Sequence, residues 1–428
     1  MHQSIGCLFV LSIFGACMSA APSEEWPCWR GPRGDGTSIE TDVPVEWNGQ
    51  TGHNIAWKTE LPAHGHSSPI VFGQFVFVTG CIEETQQRVL MCFQRSDGKL
   101  LWQSVVTTST LEKRHKLNSY ASGTPATDGK HVYATFLVTD GREVPAPNVG
   151  SPRPVTPGEI LVAAFDFEGK ALWSVSPGGF TSVHGFCSSP VIYGNLLIIN
   201  GDHDGDSYVA ALDRSNGEVV WKTPREHKTR SYCTPIIRTI EGRDQMVLTG
   251  SKRVVSMDPR SGALNWLIEG PTEQFVSSMV YDGEKFYLTA GFPTHHVMAV
   301  RPSGQGDVTS SHVAWHSEAA KCYVPSPVLQ GRYLFVADDR GTVNCFDKES
   351  GDRIWQDRLG NHYSASLVTA GGLVYFTADD GTTAVVKPGD KLDVLHRNPL
   401  GEFTYASPAI SDGQIFFRGD RYLTAVGK

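Results

Sequence analysis

Short apolar runs alternate with glycine-containing turns along most of the chain. The segment AALDRSNGEVVW, which ends at Trp221, shows an apolar strand, a tight turn with glycine, and a second strand that ends in Trp. This arrangement is typical of a β-hairpin. Similar segments end at Trp102, Trp173, Trp266 and Trp355, a degenerate one at Trp315, and a further one has Leu395 in place of Trp.

A second strand–turn–strand pattern precedes these hairpins, and each copy begins at a Ser or Thr marker. The copy CSSPVIYGNLLIING, for example, surrounds Ser189. The markers are Ser68, Thr124, Ser189, Thr234, Ser278, Ser326, Ser366 and Ser407. The two patterns together give a unit of four strands over roughly 40–50 residues, which is the repeat length of propeller blades.

The two ends of the chain fit together in this scheme. The last unit has no closing Trp strand, and the strand around Trp57 has no unit before it. Pairing these two ends would remove both open sheet edges. We therefore predict an all-β protein, an eight-bladed β-propeller over residues 55–428 whose N-terminal strand completes the last blade. An N-terminal arm over residues 21–54 precedes it.

The repeats, of the form A-x-D-x-x-x-G-x-x-x-W, resemble the tryptophan-docking repeats of the pyrroloquinoline quinone (PQQ) superfamily of β-propellers over nearly all of residues 55–428. That superfamily includes quinoprotein dehydrogenases and cofactor-free propellers such as the lipoprotein BamB. The resemblance implies that each Trp packs between neighbouring blades. The opening WPCWRGPRGDG is similar to the N-terminal arm of exported bacterial PQQ-like propellers.

The N-terminus predicts export. An apolar stretch from Ile5 to Phe14 is followed by small residues, which is typical of a signal peptide over residues 1–20. We therefore expect a periplasmic or cell-envelope protein. The segment FGAC resembles a lipoprotein cleavage site, so a lipid anchor at Cys17 is the alternative to a soluble exported form. No other stretch is long and apolar enough to predict a membrane span.

Composition and cysteine spacing argue against several classes of partner and site. The net charge of −8 shows no excess of basic residues, so nucleic acid is not an expected partner. Seven cysteines remain after residue 20, and none forms a CxxC or adjacent pair, which leaves zinc-finger, haem-attachment and thioredoxin chemistry without sequence support. Most of them lie in apolar runs, where a buried free thiol is expected.

One mouth of the central channel is the predicted binding site. In a four-stranded blade, the loop before the innermost strand and the hairpin between the second and third strands lie on the same face. Residues just before the markers should therefore surround this mouth. The predicted ligand-binding residues are His64, His66, Tyr120, His184, Arg230, Lys321, Tyr323, His362 and Tyr363. A Pro-rich insertion at 139–159 is expected over the same mouth, as a lid or partner-binding surface.

A calcium site is considered at the segment DHDGDSYVAALD. Asp202, Asp204 and Asp206 occupy the first, third and fifth places of a calcium-binding loop. However, Ser207 stands where such loops carry Gly, and the flanking segments are predicted strands. The three carboxylates are therefore only weak metal candidates, and acidic residues here are expected chiefly to form turns.

Three functions remain open. The resemblance to quinoproteins implies PQQ bound over calcium, but the chain lacks the adjacent Cys pair that alcohol-oxidising members often carry. It also lacks G-x-S-x-G, H-E-x-x-H and P-loop motifs. We therefore favour a cofactor-free binding or assembly scaffold for an envelope protein, a small molecule or a carbohydrate. A PQQ- and calcium-dependent oxidoreductase is the alternative. Carbohydrate hydrolysis, with Glu273 and Glu402 as paired carboxylates, is the third.

Overall fold

The computed structural model describes residues 23–147 and 153–427. The predicted signal peptide, Cys17 and the centre of the insertion lie outside these residues. Eight sheets, antiparallel apart from one short parallel pairing in the five-stranded sheet, form the eight blades of a propeller, as the repeats predict. Seven sheets have four strands and one has five, and a separate two-stranded ribbon accompanies them.

Strand β1 (Ile55–Glu60) comes first in the chain and belongs to the last blade. Blades 1 to 3 contain, in chain order, the following elements. Blade 1 has β2 (Ile70–Phe72), β3 (Phe75–Ile82), a 3-10 helix (Glu83–Thr85), β4 (Gln87–Gln94) and β5 (Leu100–Thr108). Blade 2 has β6 (Ala126–Thr127), β7 (His131–Val138), the separate ribbon of β8 (Val144–Pro145) and β9 (Pro154–Val155), then β10 (Gly158–Asp166) and β11 (Ala171–Phe180). Blade 3 has β12 (Val191–Tyr193), β13 (Leu196–Gly201), β14 (Tyr208–Asp213) and β15 (Val219–Pro224).

Blades 4 to 8 repeat the same plan. Blade 4 has β16 (Ile236–Ile240), β17 (Arg243–Gly250), β18 (Arg253–Met257) and β19 (Leu264–Glu269). Blade 5 has β20 (Val280–Tyr281), β21 (Phe286–Ala290) and β22 (His296–Val300), then β23 (Gly306–Asp307), which extends the sheet of blade 4, the short helix α1 (Thr309–His312) and β24 (Val313–Ser317). Blade 6 has β25 (Val328–Gln330), β26 (Tyr333–Ala337), β27 (Thr342–Asp347) and β28 (Arg353–Arg358). Blade 7 has β29 (Val368–Ala370), β30 (Leu373–Thr377), β31 (Thr382–Lys387) and β32 (Asp393–Pro399). Blade 8 has β33 (Ala409–Ser411), β34 (Gln414–Arg418) and β35 (Tyr422–Val426).

The ring closes between the two ends of the chain. Strand β1 pairs antiparallel with β35, so that Trp57 lies opposite Ala425 and Glu60 opposite Tyr422. The N-terminal strand is therefore the outermost strand of blade 8, as predicted. This pairing gives both terminal strands a hydrogen-bonded neighbour.

The Trp residues at the ends of the outermost strands join neighbouring blades. Each indole Nε1 donates a hydrogen bond to a backbone oxygen in the turn of the next blade. The pairs are Trp57 with Arg95, Trp102 with Phe167, Trp173 with Arg214, Trp221 with Pro259, Trp266 with Pro302, Trp315 with Lys348 and Trp355 with Gly389. Gly98 shows why the repeat carries glycine: its φ is +71°, and an added Cβ would lie 2.3 Å from the Trp57 ring.

The hydrophobic core is divided among the junctions between blades. Strand β13 is buried along its whole length because both of its faces pack against neighbours. The outermost strand of the same blade, β15, has four exposed residues of six. All seven cysteines of the described residues are free, and five of them are buried. In the part of the chain that the structure describes, no helix has the length and apolar character to cross a membrane.

Candidate functional site

The N-terminal arm closes one end of the central channel. It contacts the turns between the first and second strands of several blades, which define what we call the arm face. Trp26 exchanges two backbone hydrogen bonds with Val71 of blade 1, at 3.0 and 2.9 Å. In the neighbouring blade 8, the Glu40 carboxylate accepts hydrogen bonds from the backbone N–H groups of Asp412 and Gly413.

Arg30 fixes the arm inside the ring. Its side chain is buried, and its Nη2 donates to the backbone oxygens of Asp35, at 2.7 Å, and Pro327, at 2.5 Å. Burial lowers the pKa of this guanidinium to about 10. The neighbouring Trp29 lines the channel from below. The channel is therefore a cavity of about 420 Å³ that opens on the opposite side, the mouth face.

Seven of the eight Ser and Thr markers, all except Ser278, line this cavity, and hydrogen bonds between markers link one blade to the next. The backbone N–H of one marker donates to the hydroxyl of the marker in the following blade, as Ser68 does to Thr124 at 2.9 Å. The same bond joins Thr124 to Ser189, Thr234 to Ser278, Ser278 to Ser326, Ser326 to Ser366, and Ser366 to Ser407. Each of these bonded hydroxyls satisfies a buried backbone N–H group, which gives the markers a structural role in joining the blades.

The residues two positions before the markers supply the next layer of the cavity wall. An extended chain turns alternate side chains to the same side, so these residues face the channel as the markers do. They are His66, Ser122, Cys187, Tyr232, Val276, Val324, Ser364 and Tyr405. Blades 7, 8, 1, 2 and 4 thus contribute polar groups, whereas blades 3, 5 and 6 contribute Cys and Val. The wall is amphipathic.

Two imidazoles of the cavity, those of His66 and His184, are neutral near pH 7. Burial, with His64 as the next cause, lowers the pKa of His66 to about 3. Burial and the positive charge of Arg230 lower the pKa of His184 to about 4. The His66 ring lies 4.6 Å from the Tyr405 ring, measured between centroids. These side chains therefore offer aromatic surface and neutral hydrogen-bonding groups.

His184 belongs to a polar network on the wall. Its Nδ1 lies 3.1 Å from the Tyr232 hydroxyl, which also bonds to Ser182. The ring of His115 packs edge-on against His184, with centroids 5.7 Å apart. Burial raises the pKa of Tyr232 well above its ordinary value, so its hydroxyl remains protonated.

An oriented histidine faces the cavity from blade 7. His362 Nδ1 lies 2.6 Å from Asp379 Oδ2, and the Ser364 hydroxyl donates to the same oxygen at 3.0 Å. Burial raises the pKa of Asp379 despite these partners. The Ser364 hydroxyl is bonded to the carboxylate rather than to the imidazole, so the three groups do not form the relay of a serine hydrolase. Asp339 also lines the wall, and burial raises its pKa.

Four of the nine predicted ligand-binding residues line the cavity: His66, His184, Tyr323 and His362. Whether they bind a ligand stays a prediction. Sequence reasoning did not include His115, Trp29 and Asp339 in the site. Tyr232 and Tyr405, each two residues before a marker and so also expected at the mouth, line it as well.

The other five predicted residues are not among the described residues that line the cavity. Arg230 is buried in an ion pair with Asp204. Tyr363 is 1% exposed and packs in the core between blades 6 and 7. Tyr120 packs under Arg114, whose guanidinium carbon lies 4.3 Å from the centroid of the Tyr120 ring.

Lys321 and His64 lie near the mouth but outside the cavity wall. Lys321 lines a separate small cavity with Asp338 and Arg340. His64 Nε2 lies 3.8 Å from Asp420 Oδ1, and the pair forms with His66 a group whose ligand atoms are close enough for a metal ion. Neither Glu273 nor Glu402 is among the described residues that line the cavity, so the structure does not show them as paired carboxylates there.

The three carboxylates considered for calcium are used for other contacts. Asp202 is buried against Arg225, with 3.0 Å between Oδ1 and Nε. Asp204 is buried against Arg230, and the exposed Asp206 lies 2.6 Å from Lys228 Nζ. Among the residues that the structure describes, these three do not form a group close enough to share one metal ion. The acidic segment stabilises the mouth-face hairpin of blade 3 through ion pairs.

The cavity does not fit PQQ over calcium. PQQ carries three carboxylates, and the described wall contains no Lys or Arg to pair with them. Asp339 is the single carboxylate in that wall, fewer than the oxygen-rich ligand set that calcium requires. We therefore derive no chemistry through the quinone.

Comparison with known proteins identifies the family. The family model described as outer membrane protein assembly factor BamB matches residues 40–153, 148–282 and 294–426. BamB of Alkalilimnicola ehrlichii is 32% identical over 211 residues, which cover 47% of this chain and 51% of that protein. The chain thus spans about half the length of the curated relatives it matches.

Solved structures share the fold. The crystal structure of BamB from Moraxella catarrhalis superposes with a TM-score of 0.59 at 13% identity, covering 87% of this chain and 98% of the other. A europium-containing methanol dehydrogenase gives a TM-score of 0.50 at 13% identity, covering 94% of this chain and 89% of the other. Because the family model matches most of the chain, this protein belongs to the family of the outer membrane protein assembly factor BamB.

Proposed function

We propose that this protein is an exported, non-catalytic propeller that serves as a scaffold in envelope protein assembly and binds its partner on the mouth face. Membership of the BamB family supports a role in assembly at the outer membrane. The relatives align over about half their length, so the partner of this chain is itself part of the proposal. The predicted signal peptide at 1–20 supports a periplasmic location, with an anchor at Cys17 as the lipidated form.

The observation that carries the proposal is the exposure of aromatic side chains around a cavity that opens on one face. Phe292, in the hairpin between β21 and β22, is 51% exposed, and Phe403, in the loop before β33, is 57% exposed. Both loops belong to the mouth face. Exposed aromatic residues beside a concave surface are typical anchors of protein–protein interfaces.

The chemistry of the cavity suits an uncharged amphipathic group. Its wall combines imidazoles, phenols and hydroxyls with Cys and Val side chains. An aromatic or amide side chain at the tip of a partner's loop would match both kinds of group. Within the insertion, β8 and β9 form a ribbon, and beside it the Thr156 hydroxyl accepts a hydrogen bond from the Lys113 N–H at 2.7 Å. We propose that this ribbon contributes to the partner-binding surface.

Site-specific photocrosslinking tests the proposal. A photoreactive phenylalanine analogue is placed at Phe403 or Phe292 in the full chain, expressed in cells with its N-terminal segment intact. Matched controls carry the analogue at Ile39 of the arm, 55% exposed, and at Val220 of an outermost strand, 51% exposed. We expect one discrete envelope protein to be crosslinked from the mouth face and not from the controls.

Two further results would decide the outcome. The identified protein should bind the purified chain with micromolar or tighter affinity, and Phe403→Asp should weaken this binding. Crosslinking of equal strength from Ile39 would contradict a mouth-face site.

Titration with PQQ in the presence and absence of calcium, followed by tryptophan fluorescence, tests the alternative function, that of a PQQ- and calcium-dependent oxidoreductase. Saturable, calcium-dependent quenching would overturn the scaffold proposal.

A further inference from the structure

A second group of ligand-type side chains lies on blade 5, outside the central cavity. Strands β22 and β24 pair antiparallel, with Val297 opposite Ser317 and Met298 opposite His316. Side chains two residues apart on a strand share a face of the sheet. His296, His316 and Glu318 are therefore placed on one face by the strand register, with His296 across from Glu318 and diagonal to His316.

Their ligand atoms converge. His296 Nδ1 lies 2.7 Å from His316 Nε2, and the two ring centroids are 4.9 Å apart. Glu318 Oε1 lies 3.8 Å from the same His296 nitrogen. The ligand atoms of all three residues lie within 4.8 Å of one another. His296 is buried, whereas His316 and Glu318 are exposed, so the group has one fixed member and an approach from solvent.

Hydrogen bonds on the far side of His296 prepare its Nδ1 for this role. His296 Nε2 lies 2.6 Å from Thr294 Oγ1. Thr294 donates its own hydroxyl proton to Thr272 Oγ1 at 3.2 Å, so its oxygen accepts the proton of His296 Nε2. The Nδ1 lone pair is thereby directed at His316 and Glu318. A metal-bound imidazole is commonly oriented by such a bond from its other nitrogen.

We propose that His296, His316 and Glu318 bind a divalent transition-metal ion of the Zn²⁺ class. Two imidazoles and one carboxylate suit this class better than Ca²⁺ or Mg²⁺, which prefer oxygen ligands. Zn–N bonds of about 2.0–2.1 Å place two imidazole nitrogens roughly 3.3 Å apart in a tetrahedral site. The 2.7 Å pair therefore needs to open by about half an ångström. The exposed side chains of His316 and Glu318 can make that adjustment without moving the strands.

The proposed metal site is separate from the central cavity and from the second group of possible metal ligands, which lies beside that cavity. None of its three residues lines the cavity, and it shares no residue with the group of His64, His66 and Asp420. Three protein ligands leave one tetrahedral position open to water or to a side chain from another molecule. The proposal does not depend on the partner proposed above.

Zinc titration by calorimetry of the metal-free full chain, expressed and purified by the same route for each variant, tests the site. We expect a saturable binding event of one ion that His316→Ala abolishes and Glu318→Gln weakens. Thr294→Val, which removes the partner of His296 Nε2, should weaken it roughly 10–100-fold. His64→Ala, the matched control in the other group, should leave the event unchanged.

Copper provides a readout that does not depend on stability. The electron paramagnetic resonance signal of Cu²⁺ bound to the parent protein should show coupling to two imidazoles, and that of His316→Ala to no more than one. Equal melting temperatures of the metal-free variants would show that the fold is intact. Retention of the zinc event in His316→Ala, its loss in His64→Ala, or no binding by the parent chain would overturn the proposal.

Discussion

The two faces of the propeller differ in how their polar groups are used. On the arm face, Arg30 and Glu40 are buried, and each has backbone partners on distant blades. On the mouth face, His66 and Tyr405 are only partly buried and border an open cavity. The same ring of strands therefore carries one face that is closed by its own chain and one that presents side chains to other molecules.

This difference separates stability from binding. The buried guanidinium of Arg30 donates to carbonyl oxygens of the arm and of blade 6, and its removal would leave these acceptors unsatisfied, so the arm face should tolerate little change. Neutral rings on an open wall have solvent as an alternative partner, so the mouth face should tolerate substitution. Four predictions test this comparison.

The largest effect is expected from Arg30→Met. The substitution leaves the backbone oxygens of Asp35 and Pro327 without their buried charged donor. We expect a loss of about 3 kcal/mol in the free energy of unfolding, measured by urea denaturation. Arg421→Met, which removes an exposed pair with Glu60, is the control and should cost under about 1 kcal/mol. Equal losses in the two variants would remove the distinction between the faces.

Acid should lower the free energy of unfolding through two histidines of the mouth face. The pKa of His66 is lowered to about 3 and that of His184 to about 4, below the ordinary value of 6.5. The unfolded chain therefore binds more protons than the folded one below about pH 6.5, and stability falls as the pH drops from there toward 4. Each residue should account for about 1–2 kcal/mol at pH 5. His66→Gln and His184→Gln should each flatten the dependence of melting temperature on pH.

His53→Gln serves as the control for this experiment because His53 is exposed. It should leave the pH dependence of the melting temperature as it is in the parent chain. An identical slope in His66→Gln and the parent would show that burial of His66 does not contribute to the acid sensitivity.

A smaller effect is expected at the floor of the cavity. Trp29 is only partly buried, and Trp29→Ala enlarges the cavity without removing an anchor of the arm. We expect a loss of about 1 kcal/mol, below the usual cost for a fully buried Trp. Crosslinking from Phe403 should be unchanged if the partner binds at the mouth. A loss of crosslinking with intact stability would instead show that the partner reaches the floor.

The smallest change in stability is expected from Tyr405→Phe on the mouth face. Removal of this hydroxyl should alter the free energy of unfolding by no more than about 0.5 kcal/mol, but should lower the yield of crosslinking from Phe403 several-fold. Tyr281→Phe, which removes an exposed hydroxyl bonded to the Gly283 oxygen at 2.7 Å, is the matched control and should leave the yield unchanged. Equal yields from both variants would exclude a role for the cavity hydroxyl.

The site was predicted less completely than the fold, and the reason can be seen at single residues. His66 lies two positions before its marker and faces the cavity, whereas His64, four positions before its own, lies beside Asp420. Arg230 has the chemistry of a ligand-binding residue, but Asp204, distant in sequence, is its partner. The sequence pattern shows which residues are near the mouth, and it does not show which long-range partners they already have.

The sequence by itself determined the number of blades and the closure by β1, and its resemblance to a known repeat family implied the docking role of the Trp residues. These features depend on local alternation, on turn glycines such as Gly98, and on a repeat that each blade satisfies with its neighbour. The tertiary structure alone decided that the arm closes one face, that Arg230 is occupied and that His296 meets His316. Those outcomes depend on contacts between distant parts of the chain, whose free energy is set by burial and by the partners available in the folded ring.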